Sequence, residues 1–206
     1  MDPDRTTTQM LEGLADERND DVWSRFDERY RPILIGFARS LGLPADDAAD
    51  VAQDALTTFV VEYRQGKYDR SRGRLRSWLI GIVRYRVLEL RRRQAIRREA
   101  HGVTRAADLP GEGEMTRLWE QQHEAEIYRR AVAQLKETSR TDPTTLRAFE
   151  LLVERQLTPQ QVASELDISV EDAYRAKSRV AQRLRAIVDE LQRLYSDDGA
   201  LADESA

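Results

Sequence analysis

Cysteine is absent from the 206 residues. That removes disulfides and thiolate metal sites, and it fits a reducing, cytoplasmic setting. Histidine is nearly absent too. Only His101 and His123 occur, both in polar surroundings, so histidine-based acid–base or nucleophilic catalysis has little to work with. No apolar run approaches the roughly 18 residues of a membrane span, so no membrane partner is expected. The opening MDPDRTTTQ is acidic and polar, without the character of a signal peptide. Strand-like alternation and internal repeats are also lacking. What is left is helical periodicity, and the chain is long enough for one sizeable core or two small ones.

Charge is abundant but unevenly spread. The net value of −4 argues mildly against nucleic acid, yet distribution matters more than the sum. Between Leu41 and Tyr63 stand five acids (Asp46, Asp47, Asp50, Asp54 and Glu62) with no Lys or Arg. The following segment, Lys67 to Arg98, is strongly basic, with only Asp69 and Glu89 opposing it. The last ten residues, DDGALADESA, are acidic again. One face for an anion and another for a basic partner are implied.

In chain order, residues 1–20 are polar and weakly periodic, predicting a frayed start with a turn around Met10, Leu11 and Leu14. From Asp21 a helix is expected, with Val22, Trp23, Phe26 and Tyr30 at helical spacing. Pro32 either kinks it or begins the next helix, and Gly42 ends the pattern carried on by Ile33, Leu34, Phe37, Ala38 and Leu41. Pro44 to Gln65 forms the next helix, buried through Ala48, Ala52, Ala55, Leu56, Phe59 and Tyr63. Its other side carries Asp47, Asp50, Gln53, Asp54 and Thr57. A solvated face is the plain explanation. The like charges of Asp50 and Asp54 at i and i+4 oppose helix formation, however, and point to docking of a basic partner.

The stretch KYDRSRGRLRSWLIGIVRYRVLELRRRQAIRR is a polar loop bounded by Gly66 and Gly73, then an uninterrupted helix. Leu75, Leu79, Ile82, Val83 and Leu90 gather on a core side; Trp78, Gly81, Arg84, Tyr85, Leu88 and Arg92 lie toward the other. Aromatics interleaved with arginines suit single-stranded nucleic acid, whose bases stack and whose phosphates attract cations. A cationic amphipathic helix with Trp78 and Tyr85 packed on a neighbour is the competing account. Beyond it, Gly102 to Glu114 reads as a linker and domain boundary.

In the second half, a helix is expected from near Met115 to Ser139, and another with Asp142 as N-cap and Pro143 at its first position. Thr158, Pro159 and Gln161 form a capping box for a short helix. A tight turn through Asp167, Ile168 and Ser169 leads to a long helix capped by Ser169 with Asp172. This reads as a helix-turn-helix. On the second helix Ala173, Val180, Leu184, Ile187 and Leu191 face inward. Arg175, Ser178, Arg179 and Gln182 project outward with Tyr174 and Lys177 at the flanks, a workable major-groove surface.

Two separated segments, DxxDxxQxxL at Asp47, Asp50, Gln53 and Leu56, then LRSWLIGIVRYRVLELRRR, followed by the helix-turn-helix, resemble a bacterial sigma factor of the small extracytoplasmic-function type within the sigma-70 family. The resemblance spans about residues 22–98 and 125–190. It implies an all-α chain of two small helical domains on a flexible linker: a flexible start (1–20), a region 2-like domain (21–100), a linker (101–115), a region 4-like helix-turn-helix domain (116–195) and an acidic tail (196–206). It implies that Asp47, Asp50, Gln53 and Asp54 dock on core RNA polymerase. Lys67, Arg70, Arg72, Arg74, Trp78, Arg84, Tyr85 and Arg92 would capture the non-template strand of the promoter element near the start site, with Arg91 and Arg93 also on phosphates. Tyr174, Arg175, Lys177, Ser178, Arg179 and Gln182 would read the distal element.

On the same resemblance the polymerase, not this chain, is the enzyme, and no cofactor or metal is expected. Partners are core RNA polymerase and promoter DNA, with room for an anti-sigma factor clamped between the domains. The chain departs from the family pattern at Tyr85, where Asn is frequent, at Glu89, where Asp is, and at Asp167, where glycine is; Asp tolerates the left-handed turn. The alternative is a helix-turn-helix regulator that does not join the polymerase. It leaves the acidic stripe and the Trp78 segment unexplained. A metal-dependent nuclease built on the aspartates 46–54 would need ligands from elsewhere, and the sequence offers none.

Overall fold

The computed structural model describes residues 7–16, 19–69, 74–99, 109–138 and 142–196. Among these there are eight helices and no strand: α1 (Thr7–Leu14), α2 (Asp20–Ser40), α3 (Ala45–Arg64), α4 (Leu75–Glu99), α5 (Glu112–Thr138), α6 (Pro143–Val153), α7 (Pro159–Leu166) and α8 (Val170–Tyr195). The all-α expectation holds. The chain divides into two compact units, Met1–Glu126 with Tyr195–Ala206, and Ile127–Leu194.

The first unit is built on α2, α3 and α4. Asn19 caps α2 by accepting from the Val22 amide, and Asp20 and Asp21 favour its positive end. Phe26, Ile33, Leu34 and Phe37 of α2 are buried, as are Ala52, Leu56 and Phe59 of α3 and Leu75, Leu79, Val83 and Val87 of α4. The Phe26 and Phe59 rings stack at 5.2 Å between centroids, joining α2 to α3. Pro32 neither ends α2 nor starts a new helix; it lies inside a continuous one, which forgoes the single bond its missing N–H would make. Gly42 then takes φ +90°, a turn that favours glycine. Arg91 of α4 donates to the Leu41 carbonyl at 2.6 Å, satisfying an acceptor at the end of α2.

Two expectations need correction here. The start of the chain is more than a frayed turn: α1 buries Thr7, Met10, Leu11 and Leu14. The Thr7 hydroxyl hydrogen-bonds Tyr30 Oη at 3.0 Å, and Arg64 Nε donates to the Leu14 carbonyl at 3.1 Å. So short a helix is marginal alone, and it stands because other helices cover it. The second difference concerns the linker. Residues 101–108, including His101, lie outside the described residues, but α5 already begins at Glu112, Met115 is buried, and the division between units falls at Glu126–Ile127 rather than within 101–115. Trp119 and Tyr195 are likewise buried in the first unit. Smaller differences lie on the helix faces: Trp23, Tyr63 and Leu90 are half-buried, while Val51, Val60 and Val87 join the core.

The second unit has two linked apolar clusters. One gathers Ala131 and Leu135 of α5 with Phe149 of α6 and Val180 and Leu184 of α8. The other gathers Ala148 and Leu151 of α6, Val162 of α7, and Ala173 and Ala176 of α8. The sequence-predicted caps are all present. Asp142 accepts from the Thr145 amide at 2.9 Å, Thr158 and Gln161 exchange both bonds of a capping box, and Ser169 Oγ accepts from the Asp172 amide at 3.0 Å. Asp167 ends α7 at φ +53°, ψ +47°, the left-handed turn expected of it.

Candidate nucleic-acid and polymerase interfaces

The acidic side of α3 is partly engaged. Asp47 Oδ2 accepts from Gln94 Nε2 at 3.3 Å, a bond between α3 and α4. Gln53 Oε1 accepts from Arg31 of α2, whose guanidinium also grips Asp27 through Nε at 2.8 Å and Nη2 at 2.5 Å. Asp50 and Asp54 are exposed and have no partner among the described residues. The stripe read from the sequence therefore splits in two. Asp50 and Asp54 form the open part, while Asp47 and Gln53 also stitch α3 to its neighbours.

The basic segment splits in a similar way. Arg70 and Arg72 lie outside the described residues. Lys67 and Arg74 are exposed on either side of them, and Arg84, Tyr85 and Arg92 are exposed along α4. Arg91 and Arg93 are committed elsewhere: Arg91 to the Leu41 carbonyl, and Arg93 to Glu89. Of the four arginines from 84 to 93 assigned to phosphates, the open ones are Arg84 and Arg92. Glu89 also accepts from Arg86 at 3.2 Å.

Trp78 faces neither the core nor open solvent. Its indole N–H donates to Glu62 Oε2 of α3 at 3.2 Å, and its ring meets Tyr68 edge-on at 5.7 Å. Tyr68 in turn touches Tyr63 and Phe59, so an aromatic train runs from the core to the surface. Beside Trp78 opens a cleft of about 590 Å³ lined by Thr58, Glu62, Ser77, Gly81, Tyr85 and Arg86. Both accounts of this helix are thus partly right: Trp78 packs on neighbours, and it also walls a surface cleft with Tyr85. Glu62, Thr58 and Arg86 were not among the sequence-predicted site residues. Their only signal was Gly81 standing between two aromatics, an absence of side chain where a helix would ordinarily prefer one.

On α8 the predicted side chains are open. Tyr174, Arg175, Lys177, Ser178, Arg179 and Gln182 are all exposed, while Ala173, Ala176, Val180 and Leu184 are buried. Arg175, Ser178, Arg179 and Gln182 stand at i, i+3, i+4 and i+7, one stripe of the helix. Arg175 is held back by its own helix, 2.6 Å from Glu171 and 3.6 Å from Asp172. Elsewhere in this unit Lys136 of α5 pairs with Glu150 of α6 at 2.8 Å. Hydrogen bonding from Lys136, opposed by partial burial and aided by the charges of Lys136 and Arg147, holds the Glu150 carboxyl below its usual range.

Among the described residues no group of three or more His, Cys, Asp or Glu is placed to hold a metal ion, and no helix is long and apolar enough to cross a membrane. Residues 26–97 match the family model of sigma-70 region 2. The matched span takes in α2 from Phe26, all of α3, and α4 to Arg97. The match supports a sigma factor of the sigma-70 family that binds core RNA polymerase. None of the curated proteins matches the chain.

Proposed function

We propose that this chain is a sigma factor of the extracytoplasmic-function type, bringing core RNA polymerase to promoters with two elements. The observation that carries this reading is the content of the matched span. Within residues 26–97 lie an acidic helix face with two unpartnered aspartates and a helix face where aromatics alternate with open arginines. The first suits a basic docking surface on the polymerase. Its core would be Asp50 and Asp54, with Asp47 and Gln53 contributing as they exchange internal for external bonds.

The second suits a single strand. Lys67, Arg74, Arg84 and Arg92 would bind phosphates of the non-template strand of the element near the start site, with Arg70 and Arg72 from the intervening loop. Trp78 and Tyr85 would receive bases. Stacking worth about 1–3 kcal/mol per base is of the size needed to offset unstacking from the duplex. In the second unit, α7, the Asp167 turn and α8 form the helix-turn-helix. Tyr174, Arg175, Lys177, Ser178, Arg179 and Gln182 would enter the major groove of the distal element, arginine reading guanine edges and Lys177 or Ser178 holding phosphate.

The test is transcription in vitro with core RNA polymerase from the source organism on a genomic promoter library, with and without the chain. New start sites sharing two upstream elements are expected. Failure to bind core and to start transcription, with duplex binding retained, would replace this reading with a helix-turn-helix regulator that acts without the polymerase.

A further inference from the structure

Resting on the single-strand reading above, we propose that Glu62 is a positioning residue for Trp78, its carboxylate fixing which way the indole is turned before a strand arrives. Two hydrogen bonds cross between α3 and α4 here. Thr58 Oγ1 accepts from Arg86 Nη2 at 2.9 Å, and one turn further along α3 Glu62 Oε2 accepts from the Trp78 indole N–H at 3.2 Å. Arg86 also donates to Glu89 at 3.2 Å. The guanidinium that lines the same cleft is thus engaged by Thr58 and Glu89, and the carboxylate is left to the indole. Among the described residues Glu62 pairs with no cation.

A carboxylate is a poor choice for that place unless the indole needs it. Glu62 is half-buried beside Trp78, Tyr85 and Arg86, on the side of the helix pair that the single-strand reading gives to the strand. Negative charge there opposes phosphate. What it supplies is an acceptor that cannot become a donor. A carboxylate head presents only lone pairs, so neither oxygen sets a hydrogen against the indole N–H. Its charge strengthens the bond as well.

Orientation is what the bond decides. A half-buried indole has two broad settings about its Cβ–Cγ torsion, and they turn the N–H edge to opposite sides. The bond to Glu62 selects one of them. Tyr68 supports the ring from another direction, edge-on at 5.7 Å and 80°. Tyr68 is itself seated against Tyr63 at 5.9 Å and the fully buried Phe59 at 6.0 Å. Without Glu62 the N–H finds water by turning the ring, so the loss falls on orientation more than on stability. A base stacks only on a ring face presented to it, and a ring settled beforehand has less freedom to lose.

The experiment uses the full chain, core RNA polymerase and a promoter recovered by the transcription assay above. Permanganate reactivity of unpaired thymines reports strand opening. The indole N–H proton resonances of the free chain report Trp78, identified by its loss in Trp78→Phe. Glu62→Leu should lower opening roughly three- to tenfold at unchanged core affinity, and should shift the Trp78 resonance. Glu62→Gln keeps an acceptor oxygen at the same reach and should open within about twofold of the unaltered chain. In Trp78→Phe, which has no N–H, Glu62→Leu should have no further effect. Opening by Glu62→Leu at the unaltered level, an equal defect in Glu62→Gln, or an undiminished effect in the Trp78→Phe background would overturn the proposal. An unaltered chain that opens no promoter would overturn the sigma reading and, with it, this proposal.

Discussion

Trp119 of α5 meets Phe37 of α2 edge-on, the ring centroids 5.8 Å apart and the planes at 76°. The indole is almost fully buried. The first unit therefore needs the beginning of α5, well past the residue at which the sequence pattern of that domain stops. Trp119→Ala should cost about 3–5 kcal/mol of stability, the range for removing a large buried aromatic. Urea unfolding followed by far-UV circular dichroism measures it. A loss below about 1 kcal/mol would mean α5 is not part of that core.

Asp50 and Asp54 repel each other one turn apart, with no compensating partner among the described residues. Asp50→Asn with Asp54→Asn should leave stability unchanged or raise it by about 0.2–0.5 kcal/mol. The same pair of changes should weaken binding to core RNA polymerase, an effect shrinking as salt rises. Gln53→Ala should behave differently, lowering stability slightly because Arg31 loses an acceptor that joins α2 to α3. Titrating labelled protein with core polymerase beside thermal melts separates the two effects.

The turn between α7 and α8 depends on a left-handed residue, Asp167 at φ +53°. Asp167→Gly should be tolerated to within about 0.5 kcal/mol, since glycine adopts this conformation without steric cost. Asp167→Val should cost about 1–2 kcal/mol and loosen α8 against Val162 and Ala148. Amide hydrogen exchange along α7 and the start of α8 reports it.

The Lys136–Glu150 pair makes the second unit sensitive to acid. Lys136 holds the Glu150 carboxyl below its ordinary value of 4.5, so the folded state binds that proton more weakly than the unfolded chain. The stabilisation is complete above that value and disappears as pH falls through the lower folded one. Lys136 is exposed and Glu150 partly so, so the pair's worth is about 0.2–1 kcal/mol. Glu150→Gln should therefore lower stability near neutral pH and flatten its decline in acid. Methyl NMR signals of Val180 and Leu184, followed through thermal unfolding at several pH values, test both.

The parts of this molecule that were legible in the sequence are those governed by neighbours along the chain. Asp142 with Pro143, Thr158 with Gln161 and Ser169 with Asp172 fix helix starts within four residues, and Ala173, Val180 and Leu184 mark a buried face by period alone. Exposure of Asp50, Tyr85 and Arg179 followed from the same periodicity. The pairings across helices were not legible. Nothing local tells that Arg91 caps α2 at Leu41, that Arg31 occupies Gln53, or that Glu62 takes the Trp78 indole. Periodicity assigns a residue to a side of its helix and is silent on what crosses from the next. The assignment of four arginines to phosphate did not foresee the internal partners of Arg91 and Arg93 for that reason. The helical order of α1 was missed because its stability lies in contacts with Tyr30 and Arg64.

α1 also reaches further than its eight residues suggest. Its last carbonyl, at Leu14, holds the side chain of Arg64, the residue from which the chain leaves α3 toward the basic segment. That exit is thereby stiffened from behind, without any residue of α1 approaching nucleic acid. On the proposed single-strand reading, a strand arriving at Lys67 and Trp78 would meet a support already deprived of part of its freedom, leaving less entropy to lose on capture. Shortening the chain to begin at α2 would thus show itself in calorimetry as a more unfavourable entropy of binding, with the enthalpy from the strand's own contacts nearly the same.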